Sequence, residues 1–333
     1  MSNKIESYLL QTPDFIKKII GQNINIKLQE NYQFVYLVGS GSSYNAAKQV
    51  ANTMQKIIGI SVDAEYPFEM KEELFSLPSK TLIIGISQSG ASVSTYNAME
   101  YAKRVGCTTL ALTGEIDSYV DKLADYHVFL NIPVEKAGPK TLGYTITKLR
   151  LLQLAYFMKG SSLPHEYAAL SGQYSLVLNN AKAWFSKHAI ELKNCNDVRV
   201  IGSSRTYGDT LESSLKLLET LRIHVTGYNY EEFIHGIYNS VNENTYLIFL
   251  DPKHSSNFDE LFHLLNRWTD HIYYFDDIDL LGMQENTVYS NFIFPVLAEY
   301  ISAKLPELKG YDASIPKDKN FHFEMKSKIE KEI

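Results

Sequence analysis

Cysteine is nearly absent: the 333 residues carry two, Cys107 and Cys195. Two thiols at this spacing make no metal-ligand pattern and at most one long-range disulfide. Cys107 lies in the apolar run CTTLALTG and Cys195 in the polar run KNCNDV, a pairing that reads as one buried and one surface thiol. That usage favours a reducing, cytoplasmic setting. Long apolar runs are also missing, and nothing approaches the roughly 18–20 residues of a transmembrane helix. The opening MSNKIESYLLQTPDF mixes charges through its first turns and lacks the uninterrupted apolar core of a secretory signal. No membrane partner is expected. Positive charge is not in excess either: 32 Lys and Arg against 38 Asp and Glu give a net charge of −6. This excludes the basic footprint of a nucleic-acid binder.

What remains is a globular composition, 45% hydrophobic and 21% charged. At about 150 residues per domain the length predicts two domains. The 23 tyrosines are scattered, as packing and interface residues would be. Short β-branched runs alternate with longer amphipathic stretches. Strands are predicted over 34–38, 81–86, 108–112 and 127–130, with helices over 45–58 and 92–105 that stop at Gly59 and Gly106. Strands alternating with helices of a dozen residues or so imply βαβ units and a parallel sheet covered on both faces. The pattern then repeats. Gly39 and Gly202 lie 163 residues apart, as do Tyr44 and Tyr207, while TLII at Thr81 and TYLI at Thr245 lie 164 apart. A nearly constant offset predicts a duplicated α/β unit, divided in the Gly- and Pro-punctuated stretch KGSSLP into lobes 1–163 and 164–333. A helix over 166–186 enters the second.

The segment GISQSGAS, Gly85 to Ser92, joins a strand to a helix. In a parallel sheet that junction lies at the carboxyl end of the strands, where ligands bind. Ser87, Gln88, Ser89 and Ser92 fill one tight turn, and the helix that follows points free N–H groups at the same place. An oxyanion with several acceptor oxygens requires such a cradle, although a single serine would do as much for a helix cap. No lysine and no GxxxxGK[ST] pattern accompany the loop, which disfavours a nucleoside triphosphate and favours a monophosphate on a small molecule. A second loop, GSGSSY from Gly39, brings Ser42 and Ser43 to the same end of the sheet. In the repeat, Asp251 stands where Ser87 stands in the first lobe, and an aspartate repels phosphate. One phosphate site per chain is therefore expected.

From Asp209 the sequence runs DTLESSLKLLETLRIHVTGY. Asp209 and Glu212 have capping-box spacing. Leu211, Leu215 and Leu218 form the expected buried stripe, and Glu212, Lys216 and Glu219 share another face. That face is either solvated and ion-paired or lines a cleft in which Glu219 acts as a proton-transfer base. The following EEFIHG places His235, an acid–base group near neutrality or a structural residue, in a tyrosine-rich loop.

These motifs in this order, GSGSSY and SQSG followed by a repeat bearing LESSLKLLE and ExxHG, resemble the sugar isomerase (SIS) domain family over nearly the whole chain. The likeness is to its double-SIS members, the isomerase half of glucosamine-6-phosphate synthase and the fructosamine-6-phosphate deglycases. The resemblance implies an α/β fold of two SIS-type lobes, each a parallel sheet flanked by helices on both faces. It places phosphate binding on Ser42, Ser87, Gln88, Ser89 and Ser92, with Ser43 in the pocket wall. It places the enediol-forming carboxylate on Glu219 and the ring-opening histidine on His235, supplied by the neighbouring subunit of a homodimer or higher oligomer. A lysine of the tail, Lys326 with Lys328 as its competitor, closes over the sugar. Neither metal nor cofactor is implied. The chain lacks the family's glutaminase segment, CBS pair and helix-turn-helix appendages. It carries Lys140 where the synthase has a small hydroxyl residue in its sugar loop, and Leu142 where the synthase has lysine, so the sugar differs from the synthase's. The expected function is a phosphosugar isomerase or fructosamine-6-phosphate deglycase-type activity, with a catalytically silent sugar-phosphate sensor as the alternative.

Overall fold

A helix, α1 (Lys4–Ile20), precedes the first strand of the computed structural model, which describes residues 3–28, 31–70, 80–281 and 287–329. Then follow β1 (Phe34–Val38), α2 (Ser42–Ile58), β2 (Ser61–Glu65), β3 (Thr81–Ser87), α3 (Val93–Arg104), β4 (Thr108–Thr113), α4 (Tyr119–Leu123), β5 (Tyr126–Phe129) and α5 (Leu142–Met158). The strands that run as unbroken apolar segments are buried on both faces: all seven residues of β3 are buried, whereas β2, with SVDAE, alternates buried and exposed as an edge strand does. Gly59 ends α2 in the left-handed conformation at φ 85°, and Gly106 follows α3 at the same φ, as their C-terminal placement predicts. All pairings are parallel, in the order β2-β1-β3-β4-β5. Val38, Ile83 and Ala111 pack one side of this sheet against Ala98, Met99 and Ala102 of α3 and Val120 of α4.

The second half runs α6 (Leu170–Leu192), β6 (Asp197–Gly202), α7 (Tyr207–Leu221), β7 (His224–Asn229), α8 (Tyr230–Ile234), β8 (Thr245–Leu250), α9 (Phe258–Leu265), β9 (Ile272–Phe275), α10 (Asp277–Leu281), α11 (Thr287–Ile293) and α12 (Val296–Leu308). A short α13 (Phe321–Glu324) lies in the tail. The four strands again pair in parallel, in the order β7-β6-β8-β9. This repeats the first four positions of the other sheet, so the offset in sequence is an offset in topology. Ile201, Leu247 and Phe249 pack one face against Tyr230 and Phe233 of α8 and Leu265 of α9.

Two compact units result. One comprises Phe15–Lys136, Leu142–His165 and Pro316–Ile333, and contains the five-stranded sheet; the other comprises Met1–Asp14, Ala137–Thr141 and Glu166–Ile315, and contains the four-stranded sheet. The ends of the chain thus do not follow a single division at 163/164: residues 316–333 sort with the first sheet. Among the described residues no helix is long and apolar enough to cross a membrane.

Four local expectations are corrected. The leucine stripe of α7 is not the buried one: Leu211 and Leu215 are half-buried and Leu218 is exposed, whereas Asp209, Glu212, Ser213, Ser214 and Lys216 are buried. The capping box is absent too, because Thr206 is the N-cap and Asp209 lies inside the first turn. Of the cysteines, both free, Cys195 from the polar run is buried and Cys107 is half-buried. His235 stands at the C-cap of the short helix α8 rather than in an open loop.

Candidate functional site

The order of the first sheet reverses between β1 and β3: the chain leaves β1 toward β2 and leaves β3 toward β4. The connections diverge and leave a crevice at the carboxyl ends of these two strands. Both candidate loops open there. Ser87 is the last residue of β3, in register with Thr113 of β4. The turn closes with the Gly90 N–H donating to Ser87 O at 3.0 Å. Gly90 has φ 61°, and a Cβ there would lie 1.9 Å from Ser118 Oγ, so only glycine fits. On the other strand, Ser42 and Ser43 begin α2.

The hydroxyls divide into two kinds. Ser92 is the N-cap of α3 and accepts from Thr95 N at 3.4 Å and from Thr95 Oγ1 at 3.1 Å. Ser89 Oγ accepts from Ala91 N at 3.4 Å. These two shape the turn, as the capping reading holds. Ser87 is 5% exposed, and neither it nor Ser42 makes a side-chain hydrogen bond among the described residues. Gln88 is held by a residue that sequence reasoning left without a role: its Nε2 donates to Glu135 Oε1 at 2.9 Å. Glu135 is 3% exposed and also accepts from Gly143 N at 2.8 Å.

The tail reaches this loop. Ile329 N donates to Ala91 O at 2.8 Å and Val93 N to Ser327 O at 3.2 Å, an antiparallel bridge that pairs Lys328 with Ser92. Lys326, at φ 49°, lines a cavity of about 510 Å3 along α3 with Phe68, Val93, Asn97 and Tyr101. Ser87 to Ser92 are not among its walls. Lys328 is thus the tail lysine paired directly with the serine loop, and Lys326 is turned along the helix.

In the other unit the polar face of α7 is a buried charge cluster. Lys216 is 1% exposed; its Nζ lies 2.9 Å from Glu219 Oε2 and 3.5 Å from Glu212 Oε1. Glu299 of α12, fully buried, adds a carboxyl that accepts from Tyr174 OH at 3.3 Å. Burial alone would lower the Lys216 pKa, but the carboxylates of Glu212, Glu219 and Glu299 outweigh it and drive the ammonium upward. Hydroxyls on the same face return to their own helix: Thr210 Oγ1 to Thr206 O at 3.0 Å, Ser214 Oγ to Thr210 O at 2.9 Å. Glu219 stands at the rim of this cluster with its side chain 38% exposed. His235 is exposed, and its backbone N–H donates to Glu232 O at 3.2 Å. Lys140, on the segment Ala137–Thr141, donates to Ala137 O at 2.9 Å.

The second sheet has its own reversal, between β6 and β8, and there the crevice is filled. Arg205 Nε meets Asp251 Oδ2 at 2.8 Å and its NH2 reaches Asp277 Oδ2 at 3.3 Å. Lys253 pairs with Asp277 and His254 with Asp251, each at 2.8 Å. Burial pushes the Asp277 carboxyl up, but hydrogen bonds from Lys253 and Ser290 and the charge of Arg205 hold it below the usual carboxylate range. Among the described residues no group of His, Cys, Asp or Glu is arranged to hold a metal.

A family model of the SIS domain matches residues 31–158. A protein of Clostridium difficile 630, provisionally described as a phosphosugar isomerase, matches at 34% identity over 98% of this chain and 99% of that one, with a TM-score of 0.89. The chain belongs to the SIS-domain family. A Salmonella typhimurium LT2 protein provisionally described as sugar-binding matches at 29% identity, over 90% of this chain and 99% of that one, with a TM-score of 0.78. Glutamine–fructose-6-phosphate aminotransferase (isomerizing) of Caldanaerobacter subterraneus is 29% identical over 245 residues, 70% of this chain and 40% of that protein. The chain spans about 40% of the length of the curated relatives it matches. The SIS match covers the sheet that carries the serine loop; the four-stranded sheet repeats its strand order with a different crevice.

Proposed function

We propose that the chain is a double-SIS enzyme acting on a 6-phosphorylated sugar or sugar–amine conjugate in a cytoplasmic setting. The reaction is proton transfer between C1 and C2 through an enediol or enolamine, of the phosphosugar isomerase or fructosamine-6-phosphate deglycase type. The observation that carries the reading is the neutral, hydroxyl-lined turn at the switch point of β1 and β3, with Ser87 buried at its base. Such a turn suits a monophosphate ester, and the names of the relatives, all concerned with phosphosugars or sugars, agree with it. Ser42, Ser43, Ser87, Gln88, Ser89 and Ser92 are assigned to the phosphate. Glu219 is the proton-transfer base, with Lys216 beside it to hold its carboxylate in place. His235, given by a second subunit of a homodimer, opens the sugar ring. Lys140 and a tail lysine, Lys326 or Lys328, contact the sugar.

A positioned carboxylate contributes typically about 10²–10⁴-fold to such a step. Phosphate binding supplies energy remote from the reacting carbons and orients them. The deciding experiment incubates the protein with fructose-6-phosphate, glucosamine-6-phosphate and fructoselysine-6-phosphate and follows product and released amine by mass spectrometry. Conversion of any of these supports the reading. Tight binding of all three without conversion or solvent-deuterium uptake at C1 or C2 would replace it with a sensor.

A further inference from the structure

We infer that Glu135 is a positioning residue for the phosphate loop, fixing which end of the Gln88 amide faces the anion. The inference rests on the phosphate-binding reading of the serine loop. It begins with Glu135 Oε1, which receives two hydrogen bonds inside the fold, from Gly143 N at 2.8 Å and from Gln88 Nε2 at 2.9 Å. A backbone N–H can only donate, so Oε1 is an acceptor, and the amide group beside it must present nitrogen rather than oxygen. The orientation of Gln88 is therefore not free. One N–H is committed to Glu135, and the second N–H and the carbonyl oxygen are left in fixed directions.

For an anion this choice decides the sign of the contact. A phosphate oxygen is met by an N–H and repelled by an amide oxygen. Without Glu135 the side chain could flip and present either. The surroundings hold the arrangement tightly. Glu135 is 3% exposed, and Gly143, the second residue of α5, leaves room for it: a Cβ there would lie 2.5 Å from Gln88 Nε2 and 2.8 Å from Glu135 Oε1. The loop backbone is pinned independently by Gly114 N donating to Gln88 O at 2.9 Å. Main chain and side chain of Gln88 are thus fixed by different elements before any ligand arrives, the preorganisation that anion binding requires.

The test uses the whole chain and inorganic phosphate in titration calorimetry. Glu135→Ala should weaken phosphate by about tenfold, the cost of losing a charge-assisted orienting bond. Glu135→Gln, whose amide oxygen can take both N–H groups, should stay within about threefold of wild type. Gly143→Ala, whose Cβ would press on Gln88 Nε2 and Glu135 Oε1, should weaken phosphate as Glu135→Ala does. The side-chain amide of Gln88, assigned by its loss in Gln88→Ala, gives a separate signature in 15N spectra. Its two protons should be well separated in wild type and Glu135→Gln, and should converge in Glu135→Ala. Should Glu135→Ala fail to fold, Glu135→Asp withdraws the oxygen by one methylene, keeps the charge, and should behave in the same way. Ser87→Ala distinguishes the two levels of the argument. If Ser87→Ala weakens phosphate while the Glu135 and Gly143 variants bind it normally, the positioning role is overturned. If Ser87→Ala also binds normally, the phosphate reading of the loop falls with it.

Discussion

Replacing Lys216 with methionine tests the α7 cluster most severely. Methionine preserves the length and buried volume of the side chain and removes only the charge. In the native protein that charge sits 3.5 Å from Glu212, 2.9 Å from Glu219 and in the field of Glu299. The pair with Glu219 contributes little, because its side chain is 38% exposed and partly solvated pairs are worth about 0.2–1 kcal/mol. Glu212 and Glu299 are fully buried. Stripping a buried charge of its partner costs about 3–5 kcal/mol, so these two dominate. For a unit of this size the loss lowers its melting transition by about 6–20 °C. The unit Glu166–Ile315 contains α7, so calorimetry and hydrogen exchange along α6, α7 and α12 should report the change there. Adding Glu212→Gln to Lys216→Met should recover at least about 1 kcal/mol, since residues in one charge network are not additive. The pH dependence has a definite sign. The folded pKa of Lys216 lies above its ordinary 10.5; its contribution is therefore fully present below 10.5 and is lost only as pH rises through the folded value. The difference between wild type and variant should thus be constant across neutral pH and shrink in strong alkali. A Lys216→Met protein within about 0.5 kcal/mol of wild type at pH 7 would refute the assignment of Lys216 as a buried, charge-compensating cation.

Ser87→Ala with Ser89→Ala should weaken phosphate and phosphosugar binding alike in calorimetry, and unchanged binding would reduce the loop to a helix cap. Wild type should take up one phosphate per chain; a stoichiometry of two would mean that the second crevice also binds. Glu219→Gln should leave phosphosugar binding nearly intact while cutting turnover by two or more powers of ten, read by solvent-deuterium exchange at C1 or C2; undiminished exchange would remove Glu219 from the chemistry. Mixing Glu219→Gln and His235→Ala chains should restore about a quarter of wild-type activity, because random pairing puts half the chains in heterodimers with one intact site each. No recovery after confirmed subunit exchange would place both residues in one chain's own site.

The elements legible from sequence were those whose signal is local. β1, β3 and β4 are short apolar runs, mostly buried, and the structure holds them within one residue of their expected bounds; β6 and β8 stand where the repeat places them. β2 was missed: as an edge strand with two acidic residues in five it carries no continuous apolar run, and its apolar face is only Val62 and Ala64. The serine loop was visible because strand, turn and helix are contiguous, so the crevice geometry is written in one short segment. Glu135 was not, because its meeting with Gln88 spans 47 residues and depends on α5 starting beside the loop. α7 misled outright. Hydrophobic periodicity assigns leucines to the interior, but here the interior is a polar one, with hydroxyls bonded back to the helix and a lysine balanced by carboxylates. Leu211, Leu215 and Leu218 are left toward the surface while Leu217 and Leu221 are buried, and the signal that marks this is the unusual density of Ser, Thr, Lys and Glu on one face.

The two crevices show why a repeated fold need not repeat a function. Both lie where strand order reverses, and the duplication brings equivalent positions to both. In the first stand the uncharged hydroxyls of Ser42 and Ser87, the groups proposed to meet a phosphate. In the second, the equivalents by the offsets of 163 and 164 are Arg205 and Asp251, and they are bonded to each other at 2.8 Å. Lys253 and Asp277 form a second pair at 2.8 Å. A phosphate entering there must displace Asp251 and Asp277 from their cations while both carboxylates stay fully buried. Each such disruption costs about 3–5 kcal/mol. A millimolar ligand brings only about 4 kcal/mol of binding free energy. The internal carboxylates therefore win, and Asp251 acts less as a repelling charge than as the permanent occupant of the place a phosphate would take. Where the first crevice carries Ser42 and Ser87, the repeat carries an ion cluster of Arg205, Asp251, Lys253 and Asp277, with the strand order around it unchanged.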